Sequence, residues 1–201
     1  MHSFGISSDV SFEKELADKN IDIFMYDHTI NKLPFNNSKF HWKKIGLCGK
    51  NNSKKNMNTL PELIKENGHS KEENMILKFD IESYEWEVLQ DLPINIMKKF
   101  KYIVGEFHLY EKDELKYYNI FKKIKLTHQI FHIHCNNCGE IINLNKFKIC
   151  KLLEISFIQK EGYYFAKDYN NYPIENLDFK NCKNKADLSY LINLINKYRN
   201  Y

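Results

Sequence analysis

At 201 residues the chain is long enough for one domain with a full core but short for two. Its 43% hydrophobic and 14% aromatic content excludes a disordered polymer. The formal charge of +4 rests on lysine, with Arg199 the only arginine, which argues against readers of nucleic acid that depend on a guanidinium fork. No apolar run approaches the roughly 20 residues of a membrane-spanning helix. The opening MHSFGISSDV lacks the basic and apolar regions of a signal peptide, so a cytoplasmic chain is expected. Five cysteines, an odd number without secretory context, read most simply as free thiols in a reducing compartment.

In chain order, a strand is predicted over His2–Ile6, then a helix over Ser11–Asp18 with Asp9 and Ser11 as caps. Asn20–Tyr26 is a second buried strand, ending in Asp27. A loop over Asn31–Lys39 precedes a third strand, Phe40–Leu47, and a polar loop, Cys48–Asn58. Thr59 caps a helix over Leu60–Asn67 with Pro61 in its first turn. Ile76–Phe79 is a fourth strand, followed by a helix over Tyr84–Leu89; Tyr102–His108 is a fifth. An amphipathic helix over Glu111–Ile124 leads into three strand-like runs, Gln129–His134, Glu140–Leu144 and Leu152–Gln159. The tail Ala186–Tyr198 has helical spacing. This order predicts one α/β domain over residues 1–201, with a mostly parallel sheet, helices on both faces and an antiparallel C-terminal edge.

Chemistry-bearing residues gather where the strands end. The run Ile76-Leu77-Lys78-Phe79 stops at Asp80 and Glu82, and open α/β sheets bind ligands at the carboxyl ends of their strands. As a plain alternative, Asp80 only caps the following helix. Gly5 follows the first strand, where a backbone must approach a cofactor, although the full G-x-G-x-x-G pattern is absent. Asp27 follows the second, placed to accept ribose hydroxyls. Glu106 and His108 close the fifth.

The segments SFGISSDVSFEKELADK, IFMYDHT, FHWKKIGLCG, TLPELIKENGH, ILKFDIESYEWEVL, VGEFH and HCNNCG…LLEISFI, over roughly residues 3 to 160, resemble a family of S-adenosylmethionine-dependent methyltransferases related to the FkbM type. The Asp-Ile-Glu…Glu-Trp block is the most specific part. The chain departs from the family at His28, where relatives have Pro, and at Ser83, where they have Gly. It also starts at the first strand, whereas relatives carry an N-terminal helical segment. That pattern fits a minimal domain or a truncated reading frame.

The resemblance implies a Rossmann-like class I methyltransferase fold with S-adenosylmethionine across the first, second and fourth strands. Phe4, Gly5 and Ile6 would face its methionine part, Asp27 with His28 its ribose, and Leu47-Cys48-Gly49 its adenine. Asp80 would lie near the sulfonium. The acceptor implied is a small or carbohydrate-type molecule, such as a nucleotide-linked precursor of a surface glycan, methylated on a hydroxyl or phosphate oxygen.

Methyl transfer is an in-line displacement, so alignment of donor and acceptor does most of the work. A hydroxyl acceptor needs a base, for which Asp80, Glu82, Glu106, His108 and His134 are candidates. Asp80, Glu106 and Asn136 offer the oxygen ligands a Mg²⁺ ion prefers, an alternative way to activate the acceptor. Cys135-x-x-Cys138 beside His132 and His134 has no second spaced pair, so zinc is not expected. The other function class is a non-catalytic Rossmann-like module that keeps the fold and binds the cofactor.

Overall fold

The computed structural model describes residues 1–50, 55–144, 147–166 and 171–193. The chain forms two compact units, Met1–Gly105 and Glu106–Tyr201. Both α and β elements are present, and most strand pairings are parallel.

Unit 1 contains β1 (His2–Phe4), α1 (Ser11–Asp18), β2 (Ile23–Tyr26), β3 (Phe40–Lys43), β4 (Gly46–Cys48), β5 (Met57–Thr59), α2 (Leu60–Glu66), β6 (Met75–Phe79), α3 (Glu85–Asp91) and α4 (Ile94–Met97). The start of β7 (Phe100–His108) completes it; the last residues of that strand, Glu106–His108, belong to unit 2. The parallel strands are ordered β3-β2-β1-β6-β7. The chain thus builds outward from β1 to β2 and β3, then returns to the other side of β1 with β6 and β7.

Alternation along β2 explains why helices cover both faces. Ile23 and Met25 are fully buried in a cluster with Ile6, Val10 and Ala17 of the α1 side. Phe24 and Tyr26 face the other way: Tyr26 hydrogen-bonds Asn67 at the end of α2, and Phe24 meets the His69 ring edge-on at 4.5 Å. Phe4 and His2 stack into this second layer, 4.8 and 6.1 Å from the Tyr26 ring. Burial pushes the His2 imidazole down to about 3, so it packs as a neutral ring.

Local signals account for the helix starts. The Thr59 hydroxyl caps α2 by taking the Glu62 N–H at 3.4 Å, whereas the N-cap of α1 is Val10 rather than the expected Asp9 or Ser11, and the Asp9 carboxylate takes the Ser11 N–H at 2.8 Å in the turn before it. The strand expected over Phe40–Leu47 is instead two. The Ile45 N–H closes a tight turn onto the Lys43 carbonyl at 2.9 Å, and the chain leaves β3 to pair β4 in parallel with β5.

Unit 2 contains α5 (Glu114–Ile124), β8 (His128–Cys135), β9 (Ile141–Leu144), β10 (Phe147–Cys150) and β11 (Leu152–Gln159). A 3₁₀ turn, Glu111–Asp113, opens the expected amphipathic helix. β8 and β11 pair antiparallel with a bulge, and β9 and β10 form an antiparallel hairpin whose second strand was not expected. Residues 190–193 are helical, and the rest of the predicted tail helix lies outside the described residues.

The free-thiol reading needs correction. Cys135 is bonded to Cys150 and Cys138 to Cys182, whereas the buried Cys48 is in no disulfide. The odd count and the missing secretory context misled: four of the five cysteines pair, with Cys135 joined to the end of β10 and Cys138 to a residue 44 positions away. The Asn137 amide clamps the second crossing, accepting from Cys182 N–H at 2.8 Å and donating to its carbonyl at 2.9 Å. Among the described residues no helix is long and apolar enough to cross a membrane.

Candidate functional site

Strand order in unit 1 reverses between β1 and β6, and in parallel α/β sheets such a reversal opens a crevice at the carboxyl ends of the strands. Gly5 and Asp80 lie at those two ends. The ladder continues one step past the strands, with the Asp80 N–H on the Phe4 carbonyl at 3.0 Å and the Gly5 N–H on the Tyr26 carbonyl at 3.1 Å. Gly5 has φ +72°, and a β-carbon there would overlap the Asp80 carbonyl oxygen. Only glycine permits this crossing.

Beneath the turn is a buried ion pair that sequence reasoning missed. Glu13 of α1 accepts from the Ser3 hydroxyl at 2.5 Å and pairs with Lys78 of β6 at 3.4 Å. Lys78 also donates to the Gly5 carbonyl at 3.0 Å, so one ammonium ties α1, β6 and the β1 turn together. The available signal was a lysine inside an otherwise apolar strand, a position that lysine rarely occupies unpaired.

Asp27 holds the same turn from the β2 side. One carboxylate oxygen accepts from Ile6 N–H at 2.9 Å and Ser7 N–H at 3.0 Å. The other accepts from Thr29 N–H at 2.8 Å and its hydroxyl at 2.6 Å. The residue is only 5% exposed. Burial raises its pKa, but these four hydrogen bonds outweigh burial and leave the carboxyl below its ordinary value. A carboxylate has about four acceptor positions, and here all four meet protein donors.

The other expected cofactor residues divide by backbone and side chain. The side chains of Phe4 and Ile6 lie in the core, so only their backbone faces the turn. Leu47 and Cys48 are buried in β4. Cys48 and Gly49 line a cavity of about 60 Å³ with Leu60 and Val88, far below the roughly 300 Å³ at which ligand pockets begin. His28 is exposed, packed over Gly46.

Past Asp80, which is half-buried, the turn carries exposed Glu82 at φ +52° and Ser83 at φ +79°. Two successive left-handed residues without glycine are uncommon and cost about 1–2 kcal/mol each. The backbone thus adopts at Ser83 the conformation for which glycine is the ordinary choice.

In unit 2, Glu106, His108 and Asn136 come together. The Asn136 amide donates to Glu106 Oε2 at 2.7 Å, and His108 Nε2 lies 3.4 Å from Glu106 Oε1. Asn136 Oδ1 is taken by the Cys138 N–H at 2.9 Å. That orientation presents a donor to Glu106, while the Asn136 carbonyl oxygen keeps a second acceptor position beside the one the Cys138 N–H occupies. His134 binds Glu154 through Nδ1 at 2.6 Å, and Asn181 donates to the other Glu154 oxygen at 2.8 Å. Burial lowers the His134 pKa, but Glu154 more than offsets it and holds the imidazole above its usual value.

No family model, curated protein or solved structure matches this chain.

Proposed function

We propose that unit 1 is a Rossmann-like cofactor-binding unit, and that the chain is an S-adenosylmethionine-dependent O-methyltransferase acting on a small or carbohydrate-type acceptor, such as a nucleotide-linked glycan precursor. The observation that carries this reading is the strand-order reversal between β1 and β6, with the Gly5 turn crossing the Asp80 backbone at the tips. The sequence motifs that resemble the methyltransferase family fall on these tips.

When bound, the cofactor supplies an electrophilic methyl group. The chain's own part is positional. The Gly5–Ser7 backbone, pinned by Asp27 and by Lys78, gives a rigid wall without side-chain bulk. Asp80 at the rigid tip of β6 orients the acceptor and takes its proton when the acceptor is a hydroxyl. Asp27 acts on this reading by shaping the turn, because ribose hydroxyls would have to displace its present donors. A divalent cation, which the sequence allows, would serve the same end by lowering the pKa of the acceptor hydroxyl.

Calorimetry and thermal shift with S-adenosylhomocysteine test the reading. At a hundred times the dissociation constant, binding should stabilise the fold by about 2.7 kcal/mol. No shift at millimolar ligand refutes it. The saturated Asp27 carboxylate favours a second reading, a non-catalytic module; cofactor binding without methyl transfer to any acceptor would select that one. The two disulfides favour an oxidising compartment over the cytoplasm expected from the sequence.

A further inference from the structure

A cavity of about 660 Å³ lies within unit 2, inside the size range of small-molecule pockets. Ile130 and Ile133 of β8 line it together with Ile155 and Phe157 of β11. Residues three apart on a regular strand point to opposite faces. The bulge in the β8–β11 ladder removes that conflict: Phe157 pairs with Ile130 and Ile155 with Ile133, while Phe131 between them is half-exposed. The irregularity therefore widens one continuous apolar wall. Phe121 of α5 adjoins this wall, its ring 6.3 Å from that of Phe157.

Charge is confined to one part of the lining. Among the described residues Lys122 and Lys125, both exposed near the end of α5, are the lysines of the lining and no carboxylate belongs to it; Tyr118, His128 and Gln129 are its other polar side chains. Neither lysine forms an ion pair among the described residues. Lys160 adds a third cation, its ammonium donating to the Lys125 carbonyl. An apolar volume with an uncompensated cationic mouth matches a molecule that is apolar along its body and anionic at one end.

We propose that this cavity binds one long-chain carboxylate, its hydrocarbon chain along Ile130, Ile133, Ile155 and Phe157 and its head group at Lys122 and Lys125. The site is independent of the methyl-transfer reading and uses none of its residues. Sodium dodecanoate, titrated calorimetrically below its micelle-forming concentration, should bind one per chain. Dodecyltrimethylammonium, with the same chain and opposite head, should bind at least about tenfold more weakly. Reversing both charges, Lys122→Glu with Lys125→Glu, should weaken dodecanoate about tenfold, since each exposed attraction is modest and is replaced by repulsion. Ile130→Trp should abolish binding by filling the cavity; circular dichroism checks its fold, and the lysine reversal at exposed positions keeps the test open if it misfolds. Cosedimentation with phosphatidylglycerol vesicles separates the sources. Dodecanoate binding without capture supports the free carboxylate; vesicle capture that is lost together with dodecanoate binding on lysine reversal overturns it in favour of an anionic bilayer lipid. Absence of dodecanoate binding, equal affinity for the two head groups, or indifference to lysine reversal overturns the proposal.

Discussion

Replacing Asp27 with alanine tests whether this residue is chiefly a turn anchor. The substitution removes four hydrogen bonds, but their costs are unequal. Thr29 is exposed, so its amide and hydroxyl regain water. The Ile6 N–H is enclosed with its buried side chain, and the Ser7 N–H lies beside it. An unmade bond at a buried amide costs about 1–3 kcal/mol, so the expected loss is about 3 kcal/mol. Domains of this size are typically stable by about 5–15 kcal/mol, so the variant should fold but unfold at visibly lower urea. The pH dependence gives a second signature. Asp27 has a depressed pKa when folded, so its contribution is fully present above the unfolded value near 3.9 and is lost as pH falls through the folded value. The gap between native protein and variant should be wide at pH 7 and shrink below about pH 4. Urea titrations followed by circular dichroism at both pH values measure it. A variant within 1 kcal/mol of native at pH 7 would refute the anchoring argument. If that stable variant also lost S-adenosylhomocysteine binding, Asp27 would return to the ribose.

Ser83→Gly should stabilise unit 1 by about 1 kcal/mol, because glycine relieves the left-handed strain at φ +79°; an unchanged urea midpoint would show the strain to be absent. Thiol titration of the unreduced, denatured chain should give one reactive cysteine rather than five, and any count above one contradicts the pairing found here. The raised pKa of His134 contributes stability that is fully present below the unfolded value near 6.5 and lost as pH rises through the folded value. Native melting temperature should therefore fall on the alkaline side of neutrality, and Glu154→Gln should flatten that slope; a slope unchanged in the variant would sever His134 from Glu154.

Elements carried by local periodicity were legible in the sequence. The helix expected over Ser11–Asp18 has those bounds, and the strand tips at Phe79 and His108 fall as expected. Choices made by distant partners were not. The break between β3 and β4 depends on Met57–Thr59 offering a second strand to pair with, which nothing within Phe40–Leu47 encodes. Cys150 and Cys182 are far apart in sequence, and only the folded chain brings each to its partner. Asp27 was correctly singled out by position, but its four donors come from two turns whose shape a linear reading does not contain. The bulge that builds the unit 2 cavity likewise leaves only an exposed phenylalanine as its trace.

Several departures from local preference in unit 1 converge on one place. Gly5, Glu82 and Ser83 adopt left-handed backbone at the ends of β1 and β6. Glu13, 1% exposed, and Lys78 are withdrawn from water directly beneath. A buried ion pair is a weak source of stability, because desolvation offsets much of its attraction. Left-handed residues other than glycine subtract from stability outright. Packing alone would be served as well by an apolar pair and a glycine at position 83. These features instead fix the path of two adjacent turns, since Lys78 locks the Gly5 carbonyl while the Asp80 backbone crosses at the glycine. Strain held in place by surrounding contacts is the mark of a segment kept for its shape. That is the physical ground on which the proposed function of unit 1 is sought at the carboxyl ends of β1 and β6.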